Sequence, residues 1–304
     1  MHQINRVGFI GLGNMGRPMA ALLIKAGYDL TVFDVNAKAL ERFVREEGGT
    51  PAETVAELGA GVEAAITMLP DGKVVREVVT GGGNENAGLL GSMTEGSILT
   101  DMSSSSPTGT QDLGRILAER KIRMLDAPVS GGVARAAEGT LAIMVGGDPE
   151  ALRLCRPLFE VMGKQIFETG ILGSGHAMKV LNNLVSAAGL IAAAEALIVG
   201  RRFNLSPAVM VDVLNSSTGR NNSTENKFKQ FILSRSFDSG FSMDLMLKDL
   251  STAVQMAQET GTPALFSAAC RELWAAARSA MAPGADHTAV VRWLEEIAGE
   301  ELTG

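Results

Sequence analysis

The chain has 304 residues, 46% of them hydrophobic and 20% charged, and a formal net charge of −7. That length predicts two domains, and the composition is that of a globular enzyme. The negative balance argues against nucleic acid as a partner, because phosphate binding needs a basic face. A small anionic substrate needs only a local pocket of donors. Cys155 and Cys270 form no CxxC pair and read as buried thiols in a reducing compartment. His2, His176 and His287 are scattered, and no Cys/His cluster has metal-ligand spacing, so no metal is expected. The start of the chain lacks the apolar core of a secretory signal. No run reaches the roughly 18–20 uninterrupted apolar residues of a membrane span. These features predict a cytoplasmic protein.

The first half alternates short strand patterns with helical ones. RVGFIGL (6–12) reads as a strand, residues 15–27 as a helix stopped by Gly27, and DLTVFD (29–34) as the next strand. AAITMLP (64–70), SILTDMS (97–103), IRMLDAPVS (122–130), LAIMVGG (141–147) and GKQIFETG (163–170) continue the strand series. Strands alternating with helices imply parallel crossovers and a doubly wound α/β sheet. After Gly175 the character changes. Residues 176–202 form one long pattern rich in Ala and Leu, with Gly189 its only weak interior position. It is apolar around most of its circumference, which predicts burial between domains or subunits. Helices are also expected at 206–217, 243–261, 263–281 and 286–302. The chain thus divides into an α/β domain, residues 1–170, and an all-α domain, residues 171–304, with the boundary at TGILGSG.

The first strand runs into Gly11-Leu12-Gly13-Asn14-Met15-Gly16. A lone GxGxxG is weak evidence in a chain with 35 glycines. Here a strand precedes it, a helix follows, and Asp34 closes the next strand 18 positions after Gly16, near the roughly 20 of a dinucleotide fingerprint. Gly11 permits the tight turn, Gly13 lets backbone approach a pyrophosphate, and Gly16 lets helix and strand close up. The helix start offers N–H groups and a positive dipole end to the phosphates. The Asp34 carboxylate suits ribose hydroxyls and repels a 2′-phosphate, and no arginine follows it. NAD is the expected cofactor, with NADP the lesser alternative because Lys38 is close by.

Residues 125–147, LDAPVSGGVARAAEGTLAIMVGG, are less generic. At Ser130-Gly131-Gly132 a strand ends in a hydroxyl and unobstructed N–H groups, which suits a carboxylate or forms a plain turn. Further along, Lys179 and Asn183 are i,i+4 on the long helix, with Asn182 at i+3. On spacing alone Lys179 could equally be a surface amine with its stem laid along the helix.

In this order, GFIGLGNMGRPMA, DAPVSGG…GTL…MVGG, GSGHAMKVLNN and MLKDL resemble the β-hydroxyacid dehydrogenases, the family of 3-hydroxyisobutyrate dehydrogenase and tartronate semialdehyde (2-hydroxy-3-oxopropionate) reductase. The resemblance covers residues 6–300 or so. It implies a Rossmann-type domain followed by a helical domain that pairs into a homodimer or homotetramer. By the same resemblance Gly11 to Gly16, Leu69, Pro70 and Ser104 contact the cofactor. Ser130, Gly131 and Gly132 hold the substrate carboxylate, Lys179 is the catalytic lysine, Asn183 positions the substrate, and Lys248 closes over the nicotinamide end. Substrate would lie in the cleft between the domains. Leu22, Val74 and Ser104 replace an asparagine, an asparagine and a threonine common in the family.

The implied reaction is reversible NAD-dependent hydride transfer between a small 3-hydroxy acid and its semialdehyde. With no zinc and no suitably placed histidine motif, the proton carrier must be a side chain. A lysine serves if burial and a nearby cationic nicotinamide disfavour its ammonium. Asn182 either assists or tethers the helix. Lys248 either reaches the cofactor or pairs with Asp249 on a solvated face. Asp244 and Phe241 line the site or serve packing and capping. In the 219–223 loop, Arg220, Asn221 and Asn222 set substrate polarity or form a turn. The rivals are an imine reductase of the same superfamily, which commonly lacks the lysine kept here, and a 6-phosphogluconate dehydrogenase, for which the chain is short. A non-catalytic dinucleotide-sensing module is a third, opposed by the presence of both Lys179 and the Ser130-Gly131-Gly132 turn.

Overall fold

The computed structural model describes residues 4–303, so His2 lies outside the described residues. The chain forms two compact units that part between Lys179 and Val180. The N-terminal unit contains β1 (Arg6–Ile10), α1 (Gly16–Lys25), β2 (Asp29–Phe33), α2 (Ala37–Glu47), β3 (Thr50–Pro51), α3 (Val55–Ala60), β4 (Ala64–Thr67) and α4 (Gly72–Thr80). It continues with β5 (Ile98–Asp101), α5 (Pro107–Glu119), β6 (Arg123–Asp126), β7 (Val129–Ser130), α6 (Gly132–Glu138), β8 (Leu141–Gly147), α7 (Pro149–Met162) and β9 (Gly163–Gly170).

Strands run in the order β3-β2-β1-β4-β5-β6-β8-β7, with β9 on β8. Pairings from β3 through β6 are parallel. This is the doubly wound Rossmann-type order, whose direction reverses beside β1. Alternation along the strands builds a core on each face. Phe9, Ile66, Ile98 and Leu125 point into one core, with Met19, Leu23 and Phe159 of the helices. Ile10, Ala65, Leu99 and Met124 point into the other, with Leu58, Val79 and Leu117. Burying a side chain such as Phe9 completely contributes about 1.5–3 kcal/mol.

The far edge departs from the all-parallel expectation. β8 runs antiparallel to both β6 and β7, and only β9 returns to the parallel sense beside β8. Residues 122–130, read as one strand, divide at Ala127-Pro128 into β6 and β7. Pro128 has no N–H for a ladder, which ends the pairing there.

The C-terminal unit is helical. It is threaded by α8 (Ser174–Arg202), followed by α9 (Pro207–Asn215), α10 (Asn222–Asn226), a π-helical turn at Phe228–Ile232, α11 (Met243–Glu259), α12 (Leu265–Ala280) and α13 (Val290–Ala298). Its core gathers Leu190, Ala194 and Leu197 of α8 around the fully buried Trp274 of α12. By length and mean hydropathy α8 is apolar enough to cross a membrane, a test that core helices also pass, and half of its most apolar window is buried. It is not covered all round: Val185 is 72% exposed and Val199 63%. Cys155 and Cys270 are both buried free thiols. Burial pushes Cys155 up to about 12, so it stays a protonated thiol.

Candidate active site

The C-terminal ends of β1, β4, β5 and β6 carry most of the expected residues of the N-terminal unit. Gly11 has φ +99°, and its N–H donates to Phe33 O at 3.0 Å. A Cβ there would lie 2.3 Å from Met68 O, and one on Gly16 would lie 1.9 Å from Gly11 O. Gly13 has open space around its missing Cβ. The start of α1 at Met15 has no side-chain cap and no acidic residue in its first turn. By contrast α2, α4, α5 and α7 are capped by Asn36, Asp71, Ser106 and Asp148. A helix start left uncapped beside an open glycine fits the pyrophosphate of a dinucleotide.

Asp34, half-buried, is already engaged. Its Oδ2 accepts from Leu12 N at 2.7 Å and its Oδ1 from Asn36 N at 2.8 Å. The carboxylate is therefore fixed beside the glycine turn, with its remaining lone pairs available to ribose hydroxyls. Leu69 N donates to Ser103 Oγ at 2.9 Å, Pro70 is exposed and Ser104 half-buried. Val74, in the first turn of α4, donates its N–H to the Asp71 cap. In the second glycine turn Gly131 and Gly132 have φ +142° and +72°. Ser130 is half-buried and both glycines are exposed, so their backbone N–H groups are open to a ligand.

Helix α8 carries the polar stripe. Lys179 is half-buried and Asn183 buried. Asn183 Nδ2 donates to Asp249 Oδ2 at 2.6 Å, and Asn182 Nδ2 donates to Asn183 Oδ1 at 3.2 Å. Lys248 Nζ lies 3.2 Å from Asp249 Oδ1. The expected Lys248–Asp249 pair exists, but not on a solvated face: Asp249 is only 1% exposed. Asp249 thus orients the Asn183 amide and holds the Lys248 ammonium at once. It was legible only as a neighbour of Lys248, because Asn183 lies 66 positions away. Replacing it by asparagine makes the Asn183 bond a neutral one and reduces the Lys248 ion pair to a charge–dipole contact. Asp249→Asn should lower kcat/KM about tenfold, measured by steady-state kinetics beside a thermal melt. An unchanged kcat/KM would leave Asp249 a purely structural acid.

The other candidates resolve into local structure. Asp244 pairs with Arg278 near the start of α11. Phe241 stands edge-on to His287, with ring centroids 5.6 Å apart. Asn221 caps α10, accepting from Ser223 N and Thr224 N, while Thr224 Oγ1 accepts from Asn221 N. Arg220 forms an exposed ion pair with Glu225 at 3.7 Å, and Asn222 is exposed. The 219–223 segment is therefore a helix-start turn. Among the described residues, no group of three His, Cys, Asp or Glu side chains is placed to hold a metal.

Sequence reading missed a second polar cluster, of half-buried Lys227, Ser186 and Asp286 beside the buried His287. Lys227 Nζ donates to Ser186 Oγ at 3.1 Å, and Ser186 is seven residues along α8 from Lys179. Burial pushes Lys227 down to about 8, against an upward pull from Asp286. Burial also lowers His287. For Asp286 burial acts upward, but hydrogen bonds from His287 and Thr288 outweigh it and hold the carboxyl below its usual range. Below pH 8 Lys227 is protonated in both the folded and the unfolded chain. Between about 8 and 10.4 the unfolded chain keeps a proton that the folded chain has lost, so this lysine adds stability as pH rises, up to about 3 kcal/mol. Lys227→Met should flatten the rise, read from urea midpoints at pH 7.5 and 10. An equally steep rise in the variant would assign it elsewhere.

Comparison with known proteins identifies the family. The NAD binding domain of 6-phosphogluconate dehydrogenase matches residues 6–170. The NAD-binding domain of NADP-dependent 3-hydroxyisobutyrate dehydrogenase matches residues 173–294. The chain is 35% identical to 2-(hydroxymethyl)glutarate dehydrogenase of Eubacterium barkeri, over 100% of this chain and 99% of that protein. It is 38% identical to the NAD-dependent L-serine dehydrogenase of Pseudomonas aeruginosa, over 85% and 87%. The structure of Mycobacterium tuberculosis 3-hydroxyisobutyrate dehydrogenase with L-serine superposes with a TM-score of 0.87 at 34% identity, covering 96% of this chain and 99% of that one. The uncapped glycine turn, the fixed Asp34 and the lysine–asparagine stripe thus occur in a chain that belongs to the β-hydroxyacid dehydrogenase family, an oxidoreductase with NAD as its cofactor.

Proposed function

We propose that Lys179 is the general acid/base of this NAD-dependent 3-hydroxyacid dehydrogenase, that Asn183 positions the reacting hydroxyl, and that Ser130, Gly131 and Gly132 bind the substrate carboxylate. NAD⁺ held at the Gly11–Gly16 turn and Asp34 would take up the hydride released when the substrate C–H bond breaks in the oxidative direction. The hydroxyl proton passes to Lys179 Nζ, and the carbon–oxygen bond becomes the carbonyl of the semialdehyde. In reduction the Lys179 ammonium returns that proton to the forming alkoxide. A positioned acid/base group contributes about 10²–10⁴ in rate. The observation that carries this reading is the Asn183 amide, fixed by a buried carboxylate one helical turn from Lys179. That orientation is set before substrate arrives, which is the preorganisation a proton transfer needs.

The substrates in the names of the three relatives, 2-(hydroxymethyl)glutarate, L-serine and 3-hydroxyisobutyrate, share a carboxylate whose neighbouring carbon bears a hydroxymethyl group. A 2-substituted 3-hydroxypropanoate is accordingly the proposed substrate class. The test is reduced-nicotinamide absorbance with a panel of such acids and with 2-hydroxy acids of equal size. Turnover of the first set alone supports the reading. Turnover of neither set, despite tight NAD binding, would favour a sensing module.

NAD is the proposed preference over NADP. Asp34 is held by two backbone N–H groups, so it cannot swing away from a 2′-phosphate. Asp34→Ala should lower kcat/KM for NAD⁺ by about tenfold or more and narrow the NAD⁺/NADP⁺ ratio. A wild-type preference for NADP⁺ would overturn the assignment.

A further inference from the structure

We infer that Asp126 and His176 form a buried clamp that sets where Lys179 stands relative to the cofactor loops, and that His176 is a positioning residue for the proton transfer. This rests on the acid/base reading of Lys179. Asp126 ends β6 and is fully buried. Its Oδ1 accepts from Gly173 N and its Oδ2 from His176 N, each at 2.7 Å. A carboxylate at the positive end of a 29-residue helix is favourable. This one comes from the sheet, 47 and 50 positions earlier, and so ties the start of α8 to the end of β6.

The His176 ring, also fully buried, ties the same turn to two further places. Nδ1 is 2.8 Å from Thr110 Oγ1 in the first turn of α5, and Nε2 is 3.2 Å from Ser103 O. A carbonyl only accepts, so Nε2 carries a hydrogen, while Nδ1 shares the Thr110 hydroxyl with Ser106 O, which lies 3.0 Å from Thr110 Oγ1. Ser103 adjoins Ser104 and its Oγ accepts from Leu69 N. Asp101 completes the network: it accepts from Thr67 Oγ1 at 2.9 Å, Ser103 N at 3.0 Å and Ser105 Oγ at 2.6 Å. The loops after β4 and β5 and the start of α8 thus share one set of hydrogen bonds. His176 is three residues before Lys179, about 4.5 Å along the axis. A tilt of that first turn carries the amine with it.

Two glycines admit the clamp. A Cβ on Gly175 would lie 2.9 Å from Asp126 Oδ2 and 2.3 Å from Met144 O, and one on Gly146 would lie 2.6 Å from Asp126 Oδ1. Both carboxylates come within 3.7 Å of a ring nitrogen. Apolar side chains could fill such a site without the desolvation cost of two buried carboxylates. What they could not supply is directional registry between a helix start and two loops.

His176→Leu keeps the volume and removes both ring bonds. We expect kcat to fall about tenfold or more. The NAD Kd should stay within about threefold, because Asp101 and Ser103 still hold the cofactor loops. Combined with Lys179→Ala, His176→Leu should cost less than about twofold further, since the group it positions is gone. Should His176→Leu fail to fold, Thr110→Val removes the Nδ1 partner, together with the Thr110 hydroxyl's bond to Ser106 O at 3.0 Å. It should lower kcat severalfold, with Thr110→Ser restoring it. A His176→Leu enzyme with kcat within twofold of wild type and only a lowered Tm would overturn the clamp. So would an equal loss in both Lys179 backgrounds. Wild-type kcat in Lys179→Ala alone would remove the acid/base reading, and the clamp's function with it, a result visible before His176 is touched.

Discussion

Lys179→Ala is expected to lower kcat by about 10²-fold or more while the NAD Kd stays near wild type. The residue is half-buried on α8, one turn before an asparagine fixed by Asp249. Alanine suits a helix interior at least as well as lysine, so the change removes the amine without disturbing the backbone. Stopped-flow or steady-state kinetics at saturating cofactor, beside a binding titration, separate chemistry from binding. If kcat survives, the proton leaves by another route and Lys179 leaves the mechanism. A loss confined to KM would instead make it a substrate-binding cation.

Gly11→Ala should abolish measurable NAD binding and lower stability by about 2–4 kcal/mol, a fall in Tm on the order of 5–10 °C. Two separate penalties act there. Gly11 has φ +99°, a region an L-residue enters only with strain. Its Cβ would also lie 2.3 Å from Met68 O, a backbone atom that cannot rotate away. Moving that carbonyl shifts the turn leading to Leu69, so the glycine turn and the next loop are disturbed together. Gly13→Ala is the informative contrast, because its missing Cβ points into open space. It should fold normally and lose affinity only through contact with the cofactor. Wild-type NAD binding in Gly11→Ala would show that the turn does not cradle the dinucleotide.

Much of the fold was legible because its signals are local. Short strand patterns marked the wound sheet and an Ala- and Leu-rich run marked the long helix, and β8 and β9 begin and end where their patterns do. The glycine turn was legible for the same reason, since its glycines and Asp34 lie within one strand–helix–strand unit. The direction of β8 was not, because it depends on how the chain returns after Pro128 rather than on the composition of the strand. Asn221 was ambiguous until its hydrogen bonds showed a capping box.

The polar interior was the least legible part. Asp249 looked like the solvated partner of Lys248 and is a buried anchor for Asn183. His176 looked like a scattered histidine and joins Thr110 and Ser103 from 66 and 73 positions away. Lys227 gave no signal in the chain, yet burial beside Ser186 shifts its titration.

The sequence by itself determined the two-part architecture, the family, the glycine turn after β1 and the spacing of Lys179 and Asn183, because each is written in contiguous residues or at helical intervals. Only the tertiary structure decided which carboxylates are buried, which amide they orient and what ties the start of α8 to the sheet. A hydrogen bond between side chains 50 or more positions apart depends on how the backbone folds back, and no local pattern encodes that distance.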